Sequence, residues 1–224
     1  MLAIVQSRLN SSRLPGKALL PLGYSTILGL CVKRVCSANL VSKTFVSTSL
    51  DRSDNKIVEF CKNNKINSFR GPLEDVGKRL VDTALSCRQE RFIRICGDSP
   101  FIDPSIIDEA ISISKTSDFD LVTNVFPRSF PKGQSVEVIR TKTMLQICSK
   151  KRTKAEKEHA TSYFYNNYKD YRICSFNSGA DQANSRQCID EDKDYEIAKY
   201  VVSVNDINDL GWKEIQRLWN TQKT

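Results

Sequence analysis

The chain has 224 residues, 40% hydrophobic and 27% charged, which is enough apolar material for a core and too much for a disordered chain. Nine glycines and seven prolines without a repeat exclude collagen-like and mucin-like chains, and no apolar stretch approaches the roughly 20 residues of a bilayer span. The net charge of +8 is compatible with nucleic acid, an anionic membrane or a phosphorylated ligand, but the cations are scattered except at 150–157, which reads as a solvated face, so no nucleic-acid or membrane partner is expected.

In chain order, Leu2–Val5 is a short apolar run that stops at a polar loop, so it reads as a buried strand. It turns polar at Gln6 and basic at Arg8, the reverse of a secretory signal, and the chain reads as cytoplasmic. Ile27–Val35 fits a helix face, Thr44–Thr48 is rich in strand formers, and Asp54–Asn64 and Glu74–Ser86 carry apolar residues at helical spacing. Phe92–Cys96 is a strand, and Asp103-Pro104 starts a helix, with an acceptor at the cap and proline in the first turn. Asp120–Asn124 and Val136–Ile139 are strand-like, with helical patterns from Thr141 and around Glu156–Tyr168. Arg172–Phe176 and Gln187–Ile189 read as short strands, and Asp192–Val204 and Asp206–Trp219 as helices. Trp212 and Trp219, at helical spacing, belong to a core or an interface rather than a ligand cage.

Strand and helix alternate as far as residue 124, which predicts an α/β fold: a mostly parallel central sheet with helices on both faces, in one continuous domain over 1–224. Ligands of such sheets bind beyond the carboxyl ends of the strands, so the loops after Val5, Thr48, Cys96 and Asn124 are the places to seek chemistry. Eight cysteines without a C-x-x-C pair, beside the single histidine His159, offer little to a structural zinc site and read as reduced thiols.

The loop after the first strand, Gln6-Ser7-Arg8-Leu9-Asn10-Ser11-Ser12-Arg13-Leu14-Pro15-Gly16-Lys17, holds three cations among hydroxyl residues. Arginine forks, a lysine point charge and backbone amides suit a polyphosphate, although the Walker A spacing is absent. By composition alone, an ordinary basic surface loop explains this stretch equally well.

The segment Val5–Lys17 resembles the nucleotide-binding signature of the sugar cytidylyltransferases, an apolar strand followed by R-x-x-S-[ST]-R-L-P-G-K, matched by Arg8, Ser11, Ser12, Arg13, Leu14, Pro15, Gly16 and Lys17. Gln6 is similar to the branch named for spore coat polysaccharide biosynthesis, whereas the 3-deoxy-manno-octulosonate cytidylyltransferases usually have Pro there. Ser47-Thr48-Ser49 with Asp54 and Ile57, Phe69-Arg70-Gly71 with Glu74-Asp75-Val76 and Arg79, and Arg94-Ile95-Cys96-Gly97-Asp98-Ser99-Pro100 with Asp103-Pro104 resemble later motifs of the family. So do Phe130-Pro131, Gly133 and Val136-Glu137-Val138, then Glu158-His159 with Thr161 and Tyr163, and finally Ile189-Asp190 with Asp194. The resemblance runs over about residues 2–205 and departs at Ser135, where the family commonly has Asp.

The resemblance implies a Rossmann-like nucleotide-diphospho-sugar transferase (GT-A-like) fold and a magnesium-dependent nucleotidyltransferase that takes CTP and an acidic or modified sugar to a CMP-sugar and pyrophosphate. It implies Arg8, Arg13, Lys17 and Asp98 as catalytic residues, and Gln6, Ser7, Ser12, Thr48, Ser49, Arg70 and Gly97 around the nucleotide. Asp98 and Asp190 would hold Mg²⁺, a cation that favours oxygen ligands shared with phosphates; read alone, Asp98 is equally a turn or cap residue and Asp190 a helix cap. Gln134, Glu137, Glu158 and His159 are the expected acceptor contacts, and the resemblance implies a homodimer through residues 127–168. The alternatives are a glycosyltransferase of similar fold, for which Asp118-Phe119-Asp120 is the one D-x-D candidate but at the start of a strand, and a nucleotide-binding protein without catalysis.

Overall fold

The computed structural model describes residues 1–179, 181–207 and 210–222. Strand β1 (Leu2–Gln6) leads through a short ribbon, β2 (Pro21–Leu22) and β3 (Ser25–Thr26), into α1 (Ile27–Cys36). Then follow β4 (Lys43–Ser49), α2 (Asn55–Asn63), β5 (Asn67–Gly71), α3 (Val76–Ser86), β6 (Arg91–Cys96) and α4 (Pro104–Ser114). The second half contains β7 (Leu121–Thr123), β8 (Glu137–Arg140), α5 (Thr141–Ser149), α6 (Lys154–Glu158), α7 (Ser162–Asn166), β9 (Ile173–Ser175), α8 (Asp192–Val204) and α9 (Trp212–Thr221).

Seven strands form one sheet in the order β5-β4-β1-β6-β8-β7-β9. All run parallel except β8, which lies antiparallel between β6 and β7. The expected mostly parallel sheet with helices on both faces is therefore present. Leu2–Val5 of β1 is apolar on both sides because both faces of the sheet are covered there. Ala3 and Val5 join α1, α2 and α4 in one core, while Leu2 and Ile4 join α3, α5 and Phe164 of α7 in the other. A third cluster packs α8 and α9 against Leu14, Leu30 and Phe101, with Trp219 edge-on to Phe101 at 5.8 Å. Both tryptophans are thus core residues.

Local chemistry sets the helix starts. The Thr26 hydroxyl accepts from Gly29 N, Asp75 from Lys78 N and Asp103 from Ser105 N, each capping its helix. Three expected elements differ. The helix read over Glu156–Tyr168 is two short ones, broken at His159, whose non-helical backbone precedes the buried Ala160 and Phe164. The helix read from Asp206 begins only at Trp212, after Gly211. Gln187–Ile189 forms no strand; one bridge joins Lys132 to Arg186, and the Gln187 side chain is buried against Gln134, Gln216 and the Trp212 carbonyl.

All eight cysteines are free, and no helix among the described residues is long and apolar enough to cross a membrane. The carboxyl-terminal region is tied down by a buried cation: Arg34 donates to the carbonyls of Ile102 at 2.7 Å, Leu210 at 2.9 Å and Ile207. Arg34→Met is expected to cost roughly 3 kcal/mol, about 1 kcal/mol for each carbonyl left unbonded, read as a lower urea midpoint with an unchanged slope.

Candidate functional site

The loop after β1 is folded by its own carbonyl. Leu9 O accepts from Ser11 N at 2.9 Å and from Gly16 N at 3.0 Å, so the chain doubles back and Gly16 takes φ +73 before Lys17. Leu9 N is pinned to Asp54 Oδ1 at 2.8 Å, and the other Asp54 oxygen accepts from Ser49 N at 3.1 Å. Leu9 and Leu14 turn inward, which leaves the polar side chains of the loop facing a cavity of about 360 Å³.

Gly97 closes the second side. A Cβ there would meet Gln6 O at 3.0 Å and Ser7 Cβ at 3.1 Å, so any side chain would press the end of β6 away from the end of β1 by a few tenths of an ångström. Asp98 follows. Its carbonyl accepts from Ile189 N at 2.9 Å, and this backbone bond brings Asp190 beside it. Glu191, not Asp190, is the N-cap of α8, so the Asp190 carboxylate is free to turn into the cavity. Asp194 holds this turn by accepting from Asp190 N at 2.9 Å, Glu191 N at 3.1 Å and Arg186 at 3.0 Å.

Lys17 Nζ lies between the two carboxylates, donating to Asp98 Oδ2 at 2.8 Å, Asp190 Oδ1 at 2.9 Å and Ile189 O at 2.7 Å. Burial opposes its charge, but the two aspartates outweigh burial and hold the lysine above its ordinary pKa. Burial likewise opposes ionisation of Asp190, but Lys17, Arg13 and Arg186 bring its carboxyl below the usual value. Arg13 reaches Asp190 at 3.4 Å, and Arg8 reaches Glu158 at 3.4 Å, an exposed pair of small energetic weight.

Eleven of the residues singled out in the sequence line this one cavity: Gln6, Ser7, Arg8, Ser12, Arg13, Lys17, Gly97, Asp98, Glu158, His159 and Asp190. Five do not. Thr48 and Ser49 are fully buried, and Ser49 bonds Asp54 instead. Arg70 spends its fork on Ser49 O, Asp51 O and Asn55, at 2.8–2.9 Å. Gln134 is fully buried, accepting from Asp103 N at 2.8 Å and donating to Phe101 O at 2.7 Å and to Gln187 at 2.6 Å, so it braces the fold at the base of the loop between β7 and β8. Glu137 is buried between Arg94 and the Tyr165 hydroxyl. Burial, with this carboxylate beside it, pushes the Tyr165 phenol well above its ordinary pKa and keeps it a donor. These five positions shape the site from behind rather than from within.

Two cations of the lining, Arg94 and Arg79, were given no site role from the sequence. Arg94 donates to Gln6 Oε1 at 2.9 Å and forms part of the floor. Arg79 is 1% exposed, donates to Pro72 O at 2.6 Å and leaves its Nε without a partner among the described residues. Burial, with the charge of Arg8 nearby, draws its guanidinium down to about 10. The signal for Arg94 was a cation within the otherwise apolar run Phe92–Cys96; Arg79 stood in the matched pattern after Asp75-Val76 with no separate mark. The Asp118 and Asp120 pair lies at the opposite edge of the sheet, tied to Arg91, Arg140 and Thr143.

Among the described residues no group of three metal-ligating side chains forms a closed cage. Asp98 and Asp190 nevertheless converge on one cation, the Lys17 ammonium, with a backbone carbonyl as the third oxygen. This all-oxygen set fits a hard divalent ion that completes its shell with phosphate oxygens.

Comparisons with known proteins agree with this fold. A family model described as cytidylyltransferase matches residues 2–222. The chain is 30% identical over 209 residues to the spore coat polysaccharide biosynthesis protein SpsF of Bacillus subtilis, covering 89% of this chain and 85% of that protein. A solved cytidylyltransferase from Leptospira borgpetersenii superposes with a TM-score of 0.92 at 27% identity, over 99% of this chain and 94% of that one. A CMP:2-keto-3-deoxy-manno-octonic acid synthetase solved with CTP shares the fold at a TM-score of 0.70 and 15% identity, over 90% of this chain and 98% of that one. The fold is that of the nucleotide-diphospho-sugar transferases.

Gln134→Ala is expected to lower stability by about 2–3 kcal/mol, through the buried groups it leaves unbonded, and to leave nucleotide affinity within a factor of about two; denaturation and nucleotide titration of the same sample check this. The cluster also sets a pH dependence. Asp190 stabilises above its unfolded value of 3.8 and the gain is lost as pH falls through its lower folded value; Lys17 stabilises below 10.5 and the gain is lost as pH rises through its higher folded value. The stability difference between wild type and Lys17→Met should therefore be flat from about pH 5 to 9 and shrink below about pH 4, when urea midpoints are compared.

Proposed function

The chain belongs to the cytidylyltransferase family, and on that premise we propose that it transfers CMP from CTP to an acidic or modified sugar, releasing pyrophosphate, for surface polysaccharide or glycoconjugate synthesis. The observation that carries this reading is the meeting, on one cavity, of the Arg8–Lys17 loop with the Asp98 and Asp190 carboxylates. A polyphosphate needs both cations along its length and oxygens for its counter-ion, and few other substrates need both.

In this reading the acceptor hydroxyl oxygen forms the bond to the α-phosphorus of CTP, the bond from that phosphorus to the bridging oxygen breaks, and pyrophosphate leaves in line. Arg8, Arg13 and Lys17 balance charge on the phosphate oxygens as it moves to the leaving group, with Arg79 adding a buried positive charge to the same wall. Backbone and side chains of Gln6–Ser12 wrap the nucleotide, while Thr48, Ser49 and Arg70 act through the strand ends and Asp54. Asp98 and Asp190 would hold Mg²⁺, which when bound polarises phosphate oxygens and orients the chain of phosphates. Glu158 and His159 line the same cavity, and in this reading they face the acceptor, where His159 would contact the sugar or take the hydroxyl proton. The same reading includes a homodimer through residues 127–168, where Tyr168 stands 51% exposed beside Phe126.

The test is pyrophosphate release by the purified protein with Mg²⁺, each of the four nucleoside triphosphates and a panel of acidic sugars. Release is expected with CTP and one sugar, and Asp98→Asn should lower it at least about 100-fold. Equal use of all four triphosphates would overturn the base assignment, and glycosyl transfer from a nucleotide sugar without pyrophosphate would overturn the reaction.

A further inference from the structure

Lys17 holds a position that its proposed part in phosphate binding does not require. An ammonium has three protons, and all three are spent, on Asp98 Oδ2, Asp190 Oδ1 and Ile189 O, at 2.7–2.9 Å. No proton remains for a phosphate. The side chain is only 12% exposed, so water does not compete strongly for these bonds. The oxygens that lysine occupies are the same ones a divalent ion would need. The local charge is also already balanced: two carboxylates face Lys17, with Arg13 at 3.4 Å from Asp190. A dication placed among these oxygens with Lys17 still present would stand within a few ångströms of a like charge, a repulsion of several kcal/mol. Lys17 and the metal therefore exclude each other. Withdrawing Lys17 alone breaks three charge-assisted bonds with nothing to replace them. A chain of phosphates supplies the replacement, because its oxygens accept from the displaced ammonium on the same wall of the cavity.

We propose that Lys17 is an exchangeable internal counter-ion, which keeps a divalent cation off Asp98 and Asp190 until a polyphosphate arrives to accept it. Cation and nucleotide then enter as one unit, and the metal alone binds poorly. This rests on the nucleotidyltransferase reading for the identity of the natural polyphosphate, but not for the exchange itself.

The experiment is equilibrium dialysis of Mn²⁺ against the full chain, with the metal retained by protein as readout. Wild type should retain little Mn²⁺ alone and about one ion per chain when inorganic tripolyphosphate or CTP is present. Lys17→Met should bind Mn²⁺ alone at least about tenfold more tightly than wild type, and adding Asp98→Asn to it should remove the gain. Equal retention of Mn²⁺ alone by wild type and Lys17→Met overturns the proposal. Should Lys17→Met fail to fold, the wild-type arms decide: equal retention with and without tripolyphosphate overturns it, and recruitment by tripolyphosphate supports it. Recruitment by tripolyphosphate, with CTP no better than the other three triphosphates, supports the exchange while removing the cytidylyl reading.

Discussion

One backbone hydrogen bond organises this molecule. Ile189 N donates to Asp98 O, and through that contact a turn near the carboxyl terminus is stitched to the end of a central strand. Two carboxylates that lie far apart in the chain then face one ammonium. Neither would be tolerable alone at this depth, since a half-buried charge without a partner is costly. The fold answers with Lys17 from the first loop, and so β1, β6 and the approach to α8 all depend on a single triangle of charge. Asp194 supports it by fixing the backbone of Asp190, and Gly97 supports it by letting two strand ends touch.

The apolar rhythm of the chain made much of the fold legible. Leu2–Val5 of β1 is apolar on both faces, and β6 is broken only by Arg91 and Arg94, a pattern that suits strands covered on both sides. Asp103-Pro104 announced its helix through capping chemistry that needs no tertiary context. The misses were long-range. Whether β8 runs parallel or antiparallel depends on where the chain returns, and four residues cannot encode that. Gln187 sits in a strand-like stretch, yet its amide is claimed by Gln134 and Gln216 from other parts of the chain. The break at His159 is set by the burial of Ala160 and Phe164, which local propensity does not register.

The cavity divides in the same way. Arg8, Arg13 and Lys17 were readable because one continuous loop carries them, and Asp98 because a glycine at a strand end precedes it. Residues whose use depends on neighbours remote in sequence were not. Arg70 looks from sequence like a cation at an active edge, but three nearby acceptors absorb it. Glu137 looks like an acceptor contact, but Arg94 and Tyr165 enclose it. Arg79 gave no separate signal because an arginine on a helix is ordinary until burial leaves part of its guanidinium without a hydrogen-bond partner. Chemistry was visible where charge sits on a local motif, and hidden where packing decides whether a charge is spent or spare.

The reversed strand β8 has a consequence for how such a site can change. Because it runs against its neighbours, its first residue, Glu137, stands opposite Thr123, the last residue of β7, on the same edge of the sheet. The segment between them therefore leaves and rejoins that edge without crossing under the sheet. Its stem is zipped by Asn124, which donates to Gln134 O at 2.7 Å and accepts from Val136 N at 2.9 Å. The loop is closed at its own base, but its second half is also tied to the rest of the fold: Phe130 sits in the core, and Lys132 O accepts from Gln187 N at 2.7 Å. Change that leaves the strands carrying Arg8, Lys17 and Asp98 in register is therefore confined to residues 125–129, which are half-buried or exposed. Variation of length in this architecture would be concentrated at 125–129, the stretch that can differ between relatives while the residues around the cavity stay as they are.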